Sequence, residues 1–195
     1  MFRVRVGIID SGVNPAHPHV GEVAGGVAFG SPVYLDYLGH GTAVAGAIRE
    51  KAPDAELYAV KVFDRTLSTS VETLVRALEW CLEHEMDVIN LSLGTVKPER
   101  LEPLLARAAA LVVSTPGLAG SIPVDLDFAC PRDVYRYADG VFYASGYARP
   151  IPGVPPDRNL NGISFAVANM TGFVARARAA CPPGDVLARL IQEAL

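Results

Sequence analysis

The chain has 195 residues, half of them apolar, which is enough to bury a hydrophobic core and predicts one domain over residues 1–195. Its net charge is −4 and its 17 basic residues are scattered, so it lacks both the basic stripe typical of nucleic-acid binding and the polybasic cluster typical of membrane-surface binding. We therefore expect neither nucleic acid nor a membrane as a partner.

The cysteines and the N-terminal sequence bear on metals and on the cellular compartment. Cys81, Cys130 and Cys181 are an odd number at wide spacings, without a CxxC pair or paired histidines nearby, so neither a disulfide framework nor a zinc site is indicated. An alternating strand follows Met1 almost at once and leaves no room for the regions of a signal peptide. We expect a cytoplasmic protein that needs no metal and no cofactor.

In chain order, hydrophobic periodicity predicts strands that alternate with helices. The predicted strands are 3–10, 55–63, 86–94, 111–115 and 140–145, and the predicted helices are 40–51, 71–85, 99–109, 164–180 and 185–194. Alternation of this kind is typical of an α/β fold in three layers, with a doubly wound, mostly parallel sheet between helices. In such a sheet, ligands bind at the carboxyl ends of the strands.

Three polar residues stand at positions where such a site is expected. Asp10 ends the first strand, His40 begins the first helix, and Ser164 begins the helix that follows Gly162. A serine after a glycine is usually only a helix cap, but a nucleophile at a helix N-terminus gains from the helix dipole and from the unpaired amides of the first turn. Together the three residues supply a hydroxyl that attacks, an imidazole that takes its proton and a carboxylate that orients the imidazole.

Five ordered sequence blocks carry a resemblance to a known family. They are GIIDSGV at 7–13, GHGTAVAGAI at 39–48, APDAELYAVKVFD at 52–64, DVINLSLG at 87–94 and NGISFAVANMTG at 161–172. In this order they resemble the blocks of the subtilisin-like serine proteases, which share the chain order Asp, His, Ser. The resemblance implies a subtilisin-like fold and a catalytic triad of Asp10, His40 and Ser164.

The resemblance also implies where a substrate would bind. Ser92, Leu93 and Gly94 offer backbone groups on which an extended peptide adds as a strand. The oxyanion region falls at Leu118, Asn161 and Ser164. Relatives have an asparagine where this chain has Leu118, and because a leucine cannot donate a hydrogen bond to the oxyanion, we expect a slow enzyme.

Other polar residues have structural interpretations. Asp36 is interpreted as a turn carboxylate, with the alternative that it braces the loop before His40. Asn90 is interpreted as a satisfied core amide, with the alternative that it donates from the wall of the site. His17 and His19 are interpreted as surface imidazoles, because neither has a second ligand at a metal-binding spacing.

These inferences predict a serine endopeptidase of narrow specificity that cleaves peptide bonds through an acyl-enzyme, for example in the maturation of a precursor peptide. The alternative is a catalytically impaired relative that binds a peptide or a partner protein in the cleft. Retention of the three triad residues favours the enzyme, and the loss of the oxyanion asparagine favours the alternative. Both interpretations imply a peptide or protein as the ligand of the cleft.

Overall fold

A central sheet positions the polar residues identified above. The computed structural model describes residues 2–94 and 97–195, and within them eight strands form one sheet in the order β2-β3-β1-β4-β5-β6-β8-β7. The strands are β1 (Arg5–Asp10), β2 (Gly25–Ala28), β3 (Glu56–Lys61), β4 (Val88–Leu91), β5 (Leu111–Ser114), β6 (Ile122–Leu126), β7 (Tyr135–Ala138) and β8 (Val141–Ala144). Neighbouring strands are parallel except for the antiparallel pair of β7 and β8 at one edge.

Helices cover both faces of this sheet. They are α1 (His40–Lys51), α2 (Val71–Glu83), α3 (Glu102–Leu105), α4 (Ile163–Ala180) and α5 (Pro183–Glu193). Residues of α1 and α4 share a core with Ile8 of β1, whereas residues of α2 and α3 share a second core with Ile9. Because successive residues of a strand face opposite sides of the sheet, these neighbouring isoleucines belong to different cores. The predicted three-layer, mostly parallel α/β fold is confirmed.

All five predicted strands are present, and each is shorter than predicted. The sequence pattern missed β2, β6 and β7. Two of the four residues of β2 are glycines, and β6 contains a proline and an aspartate, residue types that are depleted from strands. Of the four residues of β7 only Tyr135 is buried, so this edge strand lacks the apolar run that marks short strands such as β4.

Four of the five predicted helices are confirmed within two residues at each end, and the predicted helix 99–109 is wrong. That stretch forms a 3₁₀ turn, Pro98–Arg100, followed by α3. Pro103 has no N–H to donate to the carbonyl of Glu99, and its ring would clash there, so a helix that begins at residue 99 cannot continue through it. In α3, which begins at Glu102, the proline lies in the first turn, where no N–H is needed. No helix within residues 2–94 and 97–195 is both long and apolar enough to cross a membrane.

A charged network joins the end of α1 to α4 and to the segment after β8. Arg132 donates two hydrogen bonds to Glu50, at 3.0 and 2.6 Å, and one to the carbonyl of Tyr147 at 3.1 Å. Asn169 of α4 donates to the same carbonyl at 3.1 Å. Because Tyr147 forms a β-bridge with Asn161, the network holds the loop that leads into α4.

Glu50 is expected to stabilise the fold in a pH-dependent manner. Burial of the carboxyl favours a higher pKa, but the hydrogen bonds from Arg132 and Lys51 outweigh it and lower the pKa of Glu50 from 4.5 to about 2. Since the pKa is lowered in the folded state, this stabilisation is fully present above about pH 4.5 and is lost as the pH falls toward 2. After solvent screening we expect a contribution on the order of 1–2 kcal/mol.

Urea unfolding from acid to neutral pH measures this contribution. Glu50→Gln should flatten the pH dependence of the free energy of unfolding in the acid range. Glu193→Gln is the matched control, because Glu193 belongs to an exposed helical pair with Arg189 and should leave the profile unchanged. Identical profiles for the wild type and Glu50→Gln would contradict the prediction.

Candidate active site

Asp10 and His40 form a hydrogen-bonded pair where β1 ends and α1 begins. Asp10 is fully buried, and its Oδ1 accepts hydrogen bonds from Nδ1 of His40 at 2.7 Å and from the backbone N–H of Ser11 at 2.7 Å. A Cβ atom on Gly41 would lie 2.2 Å from the carbonyl oxygen of Gly12. A glycine at position 41 therefore lets α1 begin close enough to β1 for the pair to form.

The surroundings of His40 set its charge state. Burial of the ring favours the neutral form, but the hydrogen bond and charge of Asp10, together with the charge of Asp36, outweigh burial and raise the pKa of His40 above 6.5. The ring of Phe165 packs against the imidazole, with 5.5 Å between the ring centroids. Because Nδ1 faces the carboxylate and carries the proton, the neutral ring has its lone pair on Nε2, where a general base needs it.

Asp36 braces the turn before His40, as in the alternative interpretation given above. Its carboxylate oxygens accept five hydrogen bonds, from the hydroxyls of Ser11 and Thr42 and from the backbone amides of Leu38, Gly39 and Thr42. The hydroxyl of Ser11 also accepts the backbone N–H of Gly41. The sequence signal for this brace is an aspartate four residues before a histidine that begins a helix.

Ser164 lies in the first turn of α4. The cap residue Gly162 has a φ of 130°, which favours glycine, and the backbone N–H of Ser164 has no hydrogen-bond partner among the described residues. The hydroxyl of Ser164 donates to the carbonyl of Ser92 at 3.4 Å. Ser164 and His40 line the same cavity, although no hydrogen bond joins their side chains within the described part of the chain. The structure thus brings the three predicted triad residues together at the carboxyl ends of the central parallel strands.

A chain of hydrogen bonds through the core positions Ser164. Asn90 of β4 is fully buried, and it donates to the hydroxyl of Ser92 at 2.8 Å and accepts from the hydroxyl of Thr171 at 2.9 Å. The hydroxyl of Ser92 in turn donates to the carbonyl of Ser164 at 3.3 Å. The structure therefore agrees with the interpretation of Asn90 as a satisfied core amide. Asn90 and Thr171 are 81 positions apart, so no local pattern indicates the whole chain of bonds.

The predicted substrate-binding residues form one wall of a cavity beside Ser164. This cavity, which we call the acyl cavity, has a volume of about 340 Å³ and is lined by Ser92, Leu93 and Gly94. His40 and Ser164 also border it, and the rest of its lining is Phe63, Leu67, Ser68, Thr69 and Leu74. Residues 92–94 follow Leu91, the last paired residue of β4, so strand partners do not occupy their backbone groups.

The oxyanion region implied by the resemblance offers few free donors. Leu118 is half-buried, and its side chain packs against the core on the α2 side of the sheet. Asn161 is exposed, and its Nδ2 donates to the carbonyl of Asn159 at 3.0 Å. Neither Leu118 nor Asn161 therefore offers a free side-chain donor, and the backbone N–H of Ser164 in the first turn of α4 remains available to an oxyanion.

The described residues offer neither a metal site nor, at Cys81 and Cys130, a reactive thiol. They contain no group of three or more His, Cys, Asp or Glu side chains that could hold a metal ion. Burial raises the pKa of the Cys81 thiol to about 12, and burial also raises the pKa of Cys130. Both thiols are therefore protonated at neutral pH.

The sequence is similar to those of known proteases. The sequence model of the subtilase family matches residues 3–117. The chain is 39% identical over 129 residues to the thermostable alkaline protease of Halalkalibacterium halodurans, which covers 60% of this chain and 35% of that protein. It is 34% identical over 178 residues to subtilisin Savinase of Lederbergia lenta, which covers 84% of this chain and 59% of that protein. The chain therefore spans less than two thirds of the length of these relatives.

A solved structure has the same fold. The crystal structure of a lanthipeptide protease superposes with a TM-score of 0.77 at 20% identity, over 98% of this chain and 81% of that one. At this identity the likeness is evidence for the fold alone. The family match is stronger, because it covers more than half of the chain and includes Asp10 and His40. The chain belongs to the subtilase family of serine proteases.

Proposed function

We propose that the chain is a serine endopeptidase that cleaves peptide bonds through an acyl-enzyme on Ser164. The observation that carries this proposal is the 2.7 Å hydrogen bond between Asp10 and His40 at the same cavity as Ser164. A buried carboxylate that holds an imidazole near a serine at a helix N-terminus is suited to acyl transfer. Membership of the subtilase family supports the same function.

Each residue of the triad has its own task in this mechanism. Nε2 of His40 takes the proton of the Ser164 hydroxyl as Oγ bonds to the carbonyl carbon of the substrate, and the same nitrogen then gives this proton to the leaving amine. Asp10 orients the ring and stabilises the imidazolium. The 3.4 Å hydrogen bond from Ser164 to Ser92 is long, and rotation of the serine side chain exchanges it for one to His40. Water then releases the acyl group by the same steps.

An extended peptide fits the cleft with its acyl side on Ser92–Gly94. Backbone pairing with these residues adds the peptide as a strand, and the acyl cavity accepts one side chain between Phe63, Leu67 and Leu74. We propose an apolar residue there, because its burial against these side chains is favourable. The requirement for a matching residue, together with slow acylation, suits a processing enzyme that acts on a precursor peptide. That a protein of the same fold is a lanthipeptide protease supports a peptide substrate.

The second candidate is a catalytically impaired relative that binds a peptide or a partner protein in the same cleft. The observation that favours it is Leu118, whose side chain packs against the core and has no donor for the oxyanion. Both candidates predict binding in the acyl cavity, but they differ in whether the bound peptide bond is cleaved.

Digestion of a random peptide library, followed by mass spectrometry, tests the proposal. The wild type should cleave a restricted set of peptides that share an apolar residue on the acyl side of the cleaved bond. Ser164→Ala should cleave none of them. Peptide binding by the wild type without any cleavage would instead favour the second candidate.

Leu118→Asn is expected to raise the rate of acylation by a small activated ester. The loss of one oxyanion donor costs about 2.7–4 kcal/mol in subtilisin, the enzyme in which this value was measured. We expect a smaller gain of about tenfold, because the side chain at 118 faces the core and the new amide would not reach the ideal position. Burst-phase kinetics measure the rate, with Leu118→Ala as the control that removes the leucine without adding a donor. A wild type as fast as subtilisin, with no gain from asparagine, would show that another donor serves the oxyanion.

A further inference from the structure

We propose that Arg149 binds a carboxylate on the leaving-group side of the substrate, in a second cavity beside the triad. The inference rests on the proposed peptidase function, because it names a feature of the substrate of that site. The carboxylate belongs either to an acidic side chain or to the C-terminus of a short leaving peptide. Both sources present the same chemistry to a guanidinium group.

The second cavity, which we call the leaving-group cavity, is separate from the acyl cavity. It has a volume of about 270 Å³, and the two cavities share no lining residue. One wall comes from the start of α1, at Gly39 and Thr42, and another comes from the loop that leads to α4, at Arg149 and Leu160. The cavity therefore adjoins the chain segments that carry His40 and Ser164.

The path of the substrate on the two sides of the cleaved bond indicates that this cavity receives the leaving peptide. When the acyl part lies on Ser92–Gly94, the substrate continues beyond the cleaved bond and away from that wall. His40 must reach the leaving nitrogen to protonate it, so the leaving peptide passes close to the imidazole. Gly39, which precedes His40, and Leu160, four residues before Ser164, both line the leaving-group cavity. Residues after the cleaved bond thus enter this cavity.

Arg149 brings a positive charge without a carboxylate partner. The residue is half-buried, and its Nη1 donates to the carbonyl of His19 at 3.0 Å, which orients the guanidinium. Within residues 2–94 and 97–195 it forms no ion pair, and its other N–H groups make no hydrogen bond to the protein. A guanidinium oriented in this way can bind a carboxylate through two parallel hydrogen bonds.

The other titratable groups of the cavity do not take over this role. The carboxylate of Asp36 accepts five hydrogen bonds at the start of α1, which direct its oxygens toward that turn. Burial and the charge of Arg149 lower the pKa of His19, so that ring is neutral at neutral pH. Nδ1 of His17 accepts the backbone N–H of His19 and is therefore engaged within the chain. Arg149 is therefore the cationic donor that the described lining of this cavity offers to a ligand.

Acyl transfer from a small activated ester to added amines tests the inference without knowledge of the cleavage motif. The amine nitrogen bonds to the acyl carbon as the bond from that carbon to Ser164 Oγ breaks, and His40 moves the amine proton to the oxygen. Competition between the amine and water therefore reports binding on the leaving-group side. The acceptors are Gly-Glu amide, Gly-Gln amide and Gly-Gln with a free C-terminal carboxylate.

The wild type should transfer about tenfold more acyl group to a carboxylate-bearing acceptor than to Gly-Gln amide, which is the lower end of the range for charge-assisted hydrogen bonds and suits a half-buried arginine. The preferred carboxylate acceptor identifies the source as a side chain or a chain terminus. Arg149→Gln should abolish the preference. Arg158→Gln, an exposed arginine in the same loop, is the matched control and should keep it.

Equal transfer to all three acceptors would overturn the inference and leave the peptidase function in place. Failure of the ester to form any acyl-enzyme would instead contradict the proposed function. In that case, binding of the three acceptors to the Ser164→Ala protein decides the inference. A carboxylate preference that Arg149→Gln removes would support it, and equal affinities would overturn it.

Discussion

His40→Ala is expected to lower kcat for peptide cleavage about 10⁶-fold, which is the size of the loss measured in subtilisin when its triad histidine is removed. Without the imidazole, no group takes the proton of the Ser164 hydroxyl, because the carbonyl of Ser92 that it contacts accepts a hydrogen bond but not a proton. The wall of the acyl cavity at Ser92–Gly94 is unchanged, so substrate binding is kept. We therefore expect kcat to fall and KM to stay the same.

His84→Ala is the matched control for this change. His84 is exposed beyond the end of α2, where its ring stacks on Trp80 with 4.0 Å between the centroids. Its removal should leave cleavage unchanged. A His40→Ala protein that retained most of the wild-type activity would contradict the assignment of His40 as the general base.

Asp10→Asn is expected to lower kcat about 10⁴-fold, the size of the loss that this change causes in another serine protease. The asparagine keeps the shape of the side chain but loses the charge that stabilises the imidazolium of His40. Its NH₂ group can also face the ring and impose the other tautomer. The backbone N–H of Ser11 favours the amide oxygen at the Oδ1 position, whereas the buried Oδ2 position offers the NH₂ group no hydrogen-bond partner among the described residues.

The pH dependence of the residual activity gives a second measure of the same interaction. Neutral His40 is the active form, and because Asp10 raises its pKa, the wild-type rate should fall as the pH drops through a value above 6.5. In Asp10→Asn the burial of the ring remains while the charge is gone, so this fall should move to lower pH. Asp157→Asn, at an exposed position, should not move it. An acid limb that stays in place in Asp10→Asn would show that the carboxylate does not act on His40.

Local sequence patterns are sufficient to predict the elements that carry the candidate triad. The strand that ends at Asp10 is continuously apolar over its last residues, and helix α1 has the bounds that its periodicity predicts. Helix α4 begins one residue before Ser164. In each case the polar residue stands at a boundary of its element, and this boundary places the side chain.

The features that the patterns could not predict depend on contacts between distant parts of the chain. The hydrogen bond from Ser11 to Asp36 joins residues 25 positions apart, and the bond from Arg149 to His19 spans 130 positions. In the sequence, none of these four residues can be distinguished from an ordinary surface residue. The side chain of Leu118 packs against the core on the α2 side. Comparison of the loop sequences alone does not reveal this orientation, because it depends on tertiary packing.

Covalent labelling by a fluorophosphonate probe tests most directly whether Ser164 is a nucleophile activated by His40. Folded wild type, His40→Ala and Ser164→Ala would be treated alike, and peptide mapping by mass spectrometry would locate the adduct. We predict an adduct on Ser164 in the wild type and no adduct in either variant. Labelling of His40→Ala at the wild-type rate, or an adduct on a residue other than Ser164, would contradict this assignment.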